Sequence, residues 1–175
     1  MLNIVLYQPE IAGNCGNIVR TCASIGARLH LIHPLGFSLE EKAFSRAGMD
    51  YILDCEIVEY ESLDDFYQKN PDCNLYFITR YATRVYSDID FSSPIEDYYL
   101  MFGKESSGIP YDVLAAKLDR CLRIPMKINA RSLNLSNCVA LVSYEVMRQQ
   151  DYYLLSTQET FKGSDFLMKV NKNGK

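Results

Sequence analysis

Apolar residues fall along this chain in short runs separated by polar or Gly-containing stretches, and the runs switch between strand-like and helix-like periods. Leu2 to Tyr7 is an apolar run interrupted by Asn3, the pattern of a strand covered on both faces. From about Gly16 to Ile25 the spacing predicts a helix, with Gly26 placed to end it in a left-handed C-cap. Arg28 to Ile32 reads as a second strand. Ser38-Leu39-Glu40-Glu41 has the form of a capping box that opens a short helix closed by Gly48, and Ser62 is placed to cap another through Lys69. Strand-like runs follow at Glu56 to Tyr60, Leu75 to Thr79, Tyr98 to Phe102 and Cys121 to Ile124. Pro110 suits the first turn of a helix over Tyr111 to Lys117. Asn134 or Ser136 can cap the longest helix, which reaches about Gln149 with Val139, Val142 and Val146 on one face.

Strand and helix alternate throughout, so the expected fold is α/β, a mostly parallel sheet flanked by helices on both faces. In such sheets ligands sit beyond the C-terminal ends of the strands. Past Asp151 the periodicity fades. Residues 1–155 are expected to form one domain and 156–175 a polar C-terminal tail that frays or packs loosely. A chain of 175 residues that is 48% hydrophobic fits one core and is too short for two ordinary domains.

Charge and cysteine usage narrow the function. A net charge of -4 argues against holding nucleic acid by bulk electrostatics, so any RNA contact must come from a local basic cluster. The six cysteines (Cys15, Cys22, Cys55, Cys73, Cys121, Cys138) form no C-x-x-C pair and only two His accompany them. Zinc-ligand spacings are missing, which points to no metal and to free thiols in a reducing cytosol. With no basic leader before the first strand and no apolar run of the ~18 residues a membrane span needs, a cytoplasmic protein is expected.

Three polar or Gly-rich segments carry the candidate chemistry: Asn14-Cys15-Gly16-Asn17-Ile18-Val19-Arg20, Met101-Phe102-Gly103-Lys104-Glu105-Ser106-Ser107-Gly108-Ile109-Pro110, and Arg131-Ser132-Leu133-Asn134-Leu135-Ser136-Asn137. Backbone N–H groups and short hydroxyl or amide side chains beside helix starts are suited to a polar ligand, and three such segments suggest one composite site. No Gly-x-Gly-x-x-Gly follows the first strand, which weighs against a dinucleotide enzyme.

Together with Arg123-Ile124-Pro125-Met126, and in this order and spacing, these segments resemble the SPOUT superfamily of RNA methyltransferases, most nearly its TrmL (YibK-like) branch. The resemblance covers about residues 1–150 and includes the opening Met1 to Tyr7 and Arg28 to Ile32. It implies a C-terminal trefoil knot, S-adenosylmethionine as cofactor, a homodimer, and methylation of the ribose 2′-oxygen of the wobble nucleotide in the anticodon stem-loop of tRNA, with tRNA-Leu expected. Carried over residue by residue, it implies cofactor contacts at Ile78, Gly103, Ile124 and Ser132, with Gly103 and Gly108 allowing close backbone approach. Arg20 is the implied catalytic residue, and Asn14, Asn17, Glu105, Arg131, Asn134, Ser136 and Tyr144 the implied substrate-binding or loop-shaping set.

A guanidinium stays protonated far above neutral pH, so Arg20 is better suited to bind a phosphate and stabilise a developing alkoxide than to act as a base. Plainer readings stand beside these: Glu105 as a solvated loop charge, Asn134 and Ser136 as helix caps only, Asn137 as merely exposed, Tyr144 as packing. His30 and His33 read as structural. The chain departs from the family at Cys15 (for Thr), Lys104 (for Pro), Ser107 (for Arg) and Tyr81 (for a basic residue), with Arg80 and Arg84 nearby. Those changes keep open another tRNA position or rRNA as target, and a non-catalytic RNA-binding protein on the same fold.

Overall fold

In the computed structural model, which describes residues 1–40 and 52–172, this alternation becomes a parallel sheet and its connecting helices. The strands are β1 (Leu2–Tyr7), β2 (Arg28–Ile32), β3 (Ile57–Tyr60), β4 (Asn74–Ile78), β5 (Arg84–Val85), β6 (Tyr98–Phe102) and β7 (Cys121–Arg123). Their order is β3-β2-β1-β6-β4-β7-β5, and every pairing between neighbours is parallel. The helices are α1 (Ala12–Ile25), α2 (Leu63–Lys69), α3 (Tyr111–Ala115), α4 (Leu135–Gln149) and α5 (Phe166–Lys172).

Alternate side chains of the central strands enter two cores. Ile4, Leu6, Leu29, Leu31, Leu100 and Phe102 pack with Ile18 and Val19 of α1 and with Val139, Val142 and Val146 of α4. Val5, Ile32, Phe77 and Met101 pack on the other face with Phe66 of α2 and Leu114 of α3. Each fully buried Leu, Ile or Phe contributes roughly 1.5–3 kcal/mol, so covering both faces is what holds the central strands together.

Several boundaries differ from the sequence reading. α1 begins at Ala12, ahead of the Gly16 start that the spacing predicts, so Asn14 and Cys15 are helical as well. No side chain caps it; the Ile11 carbonyl accepts from Asn14 N and Cys15 N at 3.1 and 3.2 Å, and the complete burial of Cys15, Ile18 and Val19 outweighs the low helix propensity of Gly13 and Gly16. Gly26 ends the helix at φ 66°, as its position predicts. α4 is capped by Asn134 and not by Ser136. α3 stops at Ala115, short of Lys117, and β5 is too short to leave a periodic signal. The helix expected after Ser38 lies outside the described residues, although Ser38 Oγ accepts from Glu40 N at 3.2 Å. The tail, read as polar, contains α5, with Leu167 and Met168 exposed.

Both histidines are structural. His33 pairs with Glu59 at 2.7 Å on the surface. His30 is 1% exposed, and its tautomer follows from its neighbours. Asn3 Nδ2 donates to the Met1 and Tyr98 carbonyls, both at 3.4 Å, which leaves Asn3 Oδ1 to accept from His30 Nε2–H at 3.1 Å. Neutral Nδ1 then accepts from the Tyr60 hydroxyl at 2.8 Å, whose oxygen accepts from Asn70 Nδ2 at 3.2 Å. Burial, assisted by the Arg28 charge, pushes the His30 pKa down to about 4. The folded value lies below the unfolded one of about 6.5, so this site's stability is complete above the latter and is lost as pH falls toward the former. The denaturation midpoint should drop between pH 7 and 4.5, with about 2–3 kcal/mol lost through His30. His30→Gln should flatten that dependence; equal slopes in urea titrations of the two proteins would refute the assignment.

Candidate active site

The C-terminal ends of β1, β6, β4 and β7 stand side by side, and the segments that follow them enclose a cavity of about 930 Å³. That volume is in the range of small-molecule sites. Ile78, Gly103, Ile124 and Ser132, drawn from four separate stretches of sequence, all line it, as do Asn14, Glu105 and Asn134.

The three polar segments are joined by one directed chain of hydrogen bonds. Glu105 Oε2 accepts from Glu10 N at 2.8 Å, and Oε1 accepts from Asn14 Nδ2 at 2.9 Å. Asn14 Oδ1 in turn accepts from Asn134 Nδ2 at 2.8 Å. Asn134 Oδ1 then caps α4, accepting from Ser136 N at 2.9 Å, Ser136 Oγ at 2.7 Å and Asn137 N at 3.4 Å. A carboxylate only accepts and a helix N-terminus only donates, so both ends of the chain impose the same orientation on the two amides. Asn14 is 8% exposed, which makes its two bonds costly to lose.

A second contact closes the same gap. Glu10 accepts from Ser106 N and Ser106 Oγ, both at 2.8 Å, and these bonds hold its carboxyl below the usual carboxylate range. Nothing local in the sequence marks Glu10, whose partner lies 96 positions away. Between these anchors the Gly103 to Gly108 loop folds back on itself, with Lys104 N donating to Gly108 O at 3.2 Å and Gly108 N to Lys104 O at 3.0 Å. A Cβ on Gly103 would overlap the backbone of Gly108 and Ile109, and Gly108 has φ 73°. Gly103 is therefore required by close backbone approach within the loop, and Gly108 by its left-handed conformation.

Arg20, Asn17, Arg131, Ser136 and Tyr144 are not part of the cavity wall. Asn17 and Arg20 are exposed on the outer face of α1, where Thr21 Oγ1 donates to Asn17 O at 3.2 Å and Ser24 Oγ to Arg20 O at 2.7 Å. Arg131 is exposed in the segment leading to α4, and Tyr144 is 48% exposed on that helix. The cations on the wall are Arg80 and Lys104. Among the described residues no group of three or more His, Cys, Asp or Glu is placed to hold a metal, and no helix is long and apolar enough to cross a membrane.

Residues 1–144 match the SpoU rRNA Methylase family. A Geobacillus stearothermophilus protein provisionally named tRNA (cytidine(34)-2'-O)-methyltransferase is 50% identical over 155 residues, 89% of this chain and 99% of its own length. The tRNA (cytidine(34)-2'-O)-methyltransferase of Escherichia coli K12 is 41% identical over 153 residues, 87% of this chain and 96% of its own. A solved structure described as giving insights into 2-OH methylation of C/U34 on tRNA has a TM-score of 0.81 at 38% identity, over 87% of this chain and 97% of that one.

Asn14→Asp tests the hydrogen-bond chain directly, because it keeps the shape but sets a carboxylate against Glu105. Stability should fall by roughly 2–4 kcal/mol at pH 8 and partly return toward pH 5, as the pair takes up a proton that the unfolded chain does not. Asn14→Leu should lose stability with no such pH dependence. Chemical denaturation at the two pH values checks both, and an Asp variant as stable as the parent at pH 8 would contradict the arrangement.

Proposed function

The chain belongs to the SpoU rRNA Methylase family, and on that premise we propose that it methylates the ribose 2′-oxygen of nucleotide 34, the wobble position, of tRNA. The convergence of Ile78, Gly103, Ile124 and Ser132 on one cavity carries this reading, since the family resemblance assigns those positions to S-adenosylmethionine. The cavity fits that cofactor: Phe102, Ile109 and Leu135 give it an apolar wall, while Asn14, Glu105, Ser132 and Asn134 bring polar groups to it. When bound there, the cofactor supplies an electrophilic methyl group for in-line displacement.

The protein's own part is to hold that geometry and manage charge. The Glu105–Asn14–Asn134 chain holds the loops, so that the ribose oxygen and the methyl carbon meet in one alignment. Arg20 binds a backbone phosphate as a cation and stabilises the alkoxide as the hydroxyl proton leaves to solvent. Arg20 is six residues beyond Asn14, about 9 Å along the helix and two-thirds of a turn round from it. It therefore points away from its own cavity, which supports a homodimer in which Arg20 of one subunit serves the cavity of the other.

The remaining assignments rest on the same resemblance. The target nucleotide is a cytidine or modified uridine, tRNA-Leu is the expected isoacceptor, the protein acts in the cytoplasm, and Asn17, Arg131 and Tyr144 contact RNA or the partner subunit. The segment after β7 threads a trefoil knot; the meeting of the loops after β4, β6 and β7 around one cavity supports it. Residues 1–155 form the methyltransferase unit and 156–175 a tail.

Mass mapping of ribose methylation in tRNA, with and without the gene, should show loss of the mark at nucleotide 34 alone; an unchanged tRNA would refute the proposal. Arg20→Ala should abolish transfer with cofactor affinity within a few fold of the parent, whereas Ser132→Ala should weaken cofactor binding. Mixing these two variants, at a cofactor concentration too low to load the Ser132→Ala cavity, gives the decisive result for a shared site. Subunit exchange should restore about a quarter of parent activity if Arg20 acts across the dimer, and none if it acts within its own chain.

A further inference from the structure

Two large aromatic residues stand exposed at the cavity, and neither serves a core. Tyr81, in the loop after β4, is 61% exposed, and Tyr111, the first residue of α3, is 65% exposed. Both belong to the cavity wall. They come from segments 30 positions apart, yet their hydroxyls lie 3.1 Å from each other and their rings meet edge to face at 5.3 Å and 84°. The guanidinium carbon of Arg80 is 6.0 Å from the Tyr81 ring centroid. The result is an aromatic corner, one ring set against the other at a near right angle, beside the Arg80 cation, with Lys104 over the Tyr7 ring on the same cavity wall.

We propose that this Tyr81–Tyr111 corner stacks an unpaired nucleobase of the RNA substrate, at or next to the methylated nucleotide, with Arg80 and Lys104 on the adjoining phosphates. The proposal rests on the ribose methyltransferase reading above. A base inside a duplex has both faces covered, so only an unpaired loop base has a face to offer. Aromatic stacking combined with neighbouring cations is the usual means by which single-stranded RNA is gripped without reading its sequence. The edge contact and the shared hydroxyl bond hold the two rings before RNA arrives, which lowers the ordering cost of binding. The rival occupant is the adenine of the cofactor. The high exposure of both rings favours the larger substrate, which approaches from solvent.

The test uses full-length protein and anticodon stem-loop RNAs carrying 2-aminopurine at nucleotide 34 or at either neighbour. Binding to the parent should quench the fluorophore in at least one of these RNAs. Tyr81→Ala and Tyr111→Ala should lose that quenching and raise KM for RNA roughly 5- to 100-fold. Their calorimetric affinity for S-adenosylmethionine should stay within a few fold, and Tyr81→Phe and Tyr111→Phe should keep the quenching. Because both residues are exposed, thermal midpoints close to the parent are expected. Ala variants with parental quenching and KM overturn the corner, as does a parent that quenches no labelled position. Cofactor affinity that falls in step with RNA affinity reassigns the rings to adenine and also overturns it. A parent that quenches but transfers no methyl group refutes the enzymatic reading and leaves the corner standing.

Discussion

The carboxylate of Glu105 can accept hydrogen bonds and cannot donate them, and the loops around the cavity are arranged to satisfy it. Its two oxygens take the Glu10 backbone N–H and the Asn14 amide, which turns the Asn14 carbonyl oxygen toward Asn134 and leaves the Asn134 oxygen for the open end of α4. The chain of bonds runs from an anion to a helix N-terminus, two sites of opposite electrostatic character, so its polarity is favoured at both ends. Reversing any amide would leave two donors or two acceptors face to face. This constraint couples the start of α1, the loop after β6 and the start of α4 into one body. The ligand-facing surface is therefore shaped before any ligand enters.

The sheet makes that coupling possible. β1 and β6 are neighbours at its centre, with β4 and β7 next in order, so loops distant in sequence emerge side by side. β1 sends the chain outward to β2 and β3, and the return through α2 to β4 leaves room for β6 to insert between β1 and β4. Parallel pairing puts every one of these C-terminal ends on the same side. The apolar load on both faces fixes the register, since a one-residue slip would turn Ile4 and Leu6 from the α1 and α4 core into the opposite one.

Charge is distributed with similar economy. A chain with net charge -4 does not draw in RNA by its overall charge. Its cations stand where they are of use, Arg80 and Lys104 on the cavity wall and Arg20 on the outer face of α1. Two of the carboxylates nearby, Glu10 and Glu105, are occupied with internal hydrogen bonds and offer less repulsion to a polyanion.

Much of this was legible in the order of residues. Periodicity located β1, β2, β4, β6 and α4, because a strand or helix buried against a core must repeat its apolar residues at a fixed interval. Cap chemistry named Gly26 and narrowed the cap of α4 to Asn134 or Ser136, since each answers a local backbone demand. The motif residues Asn14, Gly103, Ser132 and Asn134 could be picked out as a group, and the resemblance they carry pointed to the family. What the chain order could not hold was pairing across distance. That Glu10 meets Ser106, that Asn14 stands between Glu105 and Asn134, and that Tyr81 meets Tyr111 depend on how the sheet stacks its strand ends. Nor could it place the start of α1, where burial of Cys15, Ile18 and Val19 overrode the local preference of two glycines for a loop. Local physics is written in neighbouring residues. Contacts between segments a hundred positions apart are decided only once the whole hydrophobic core has closed.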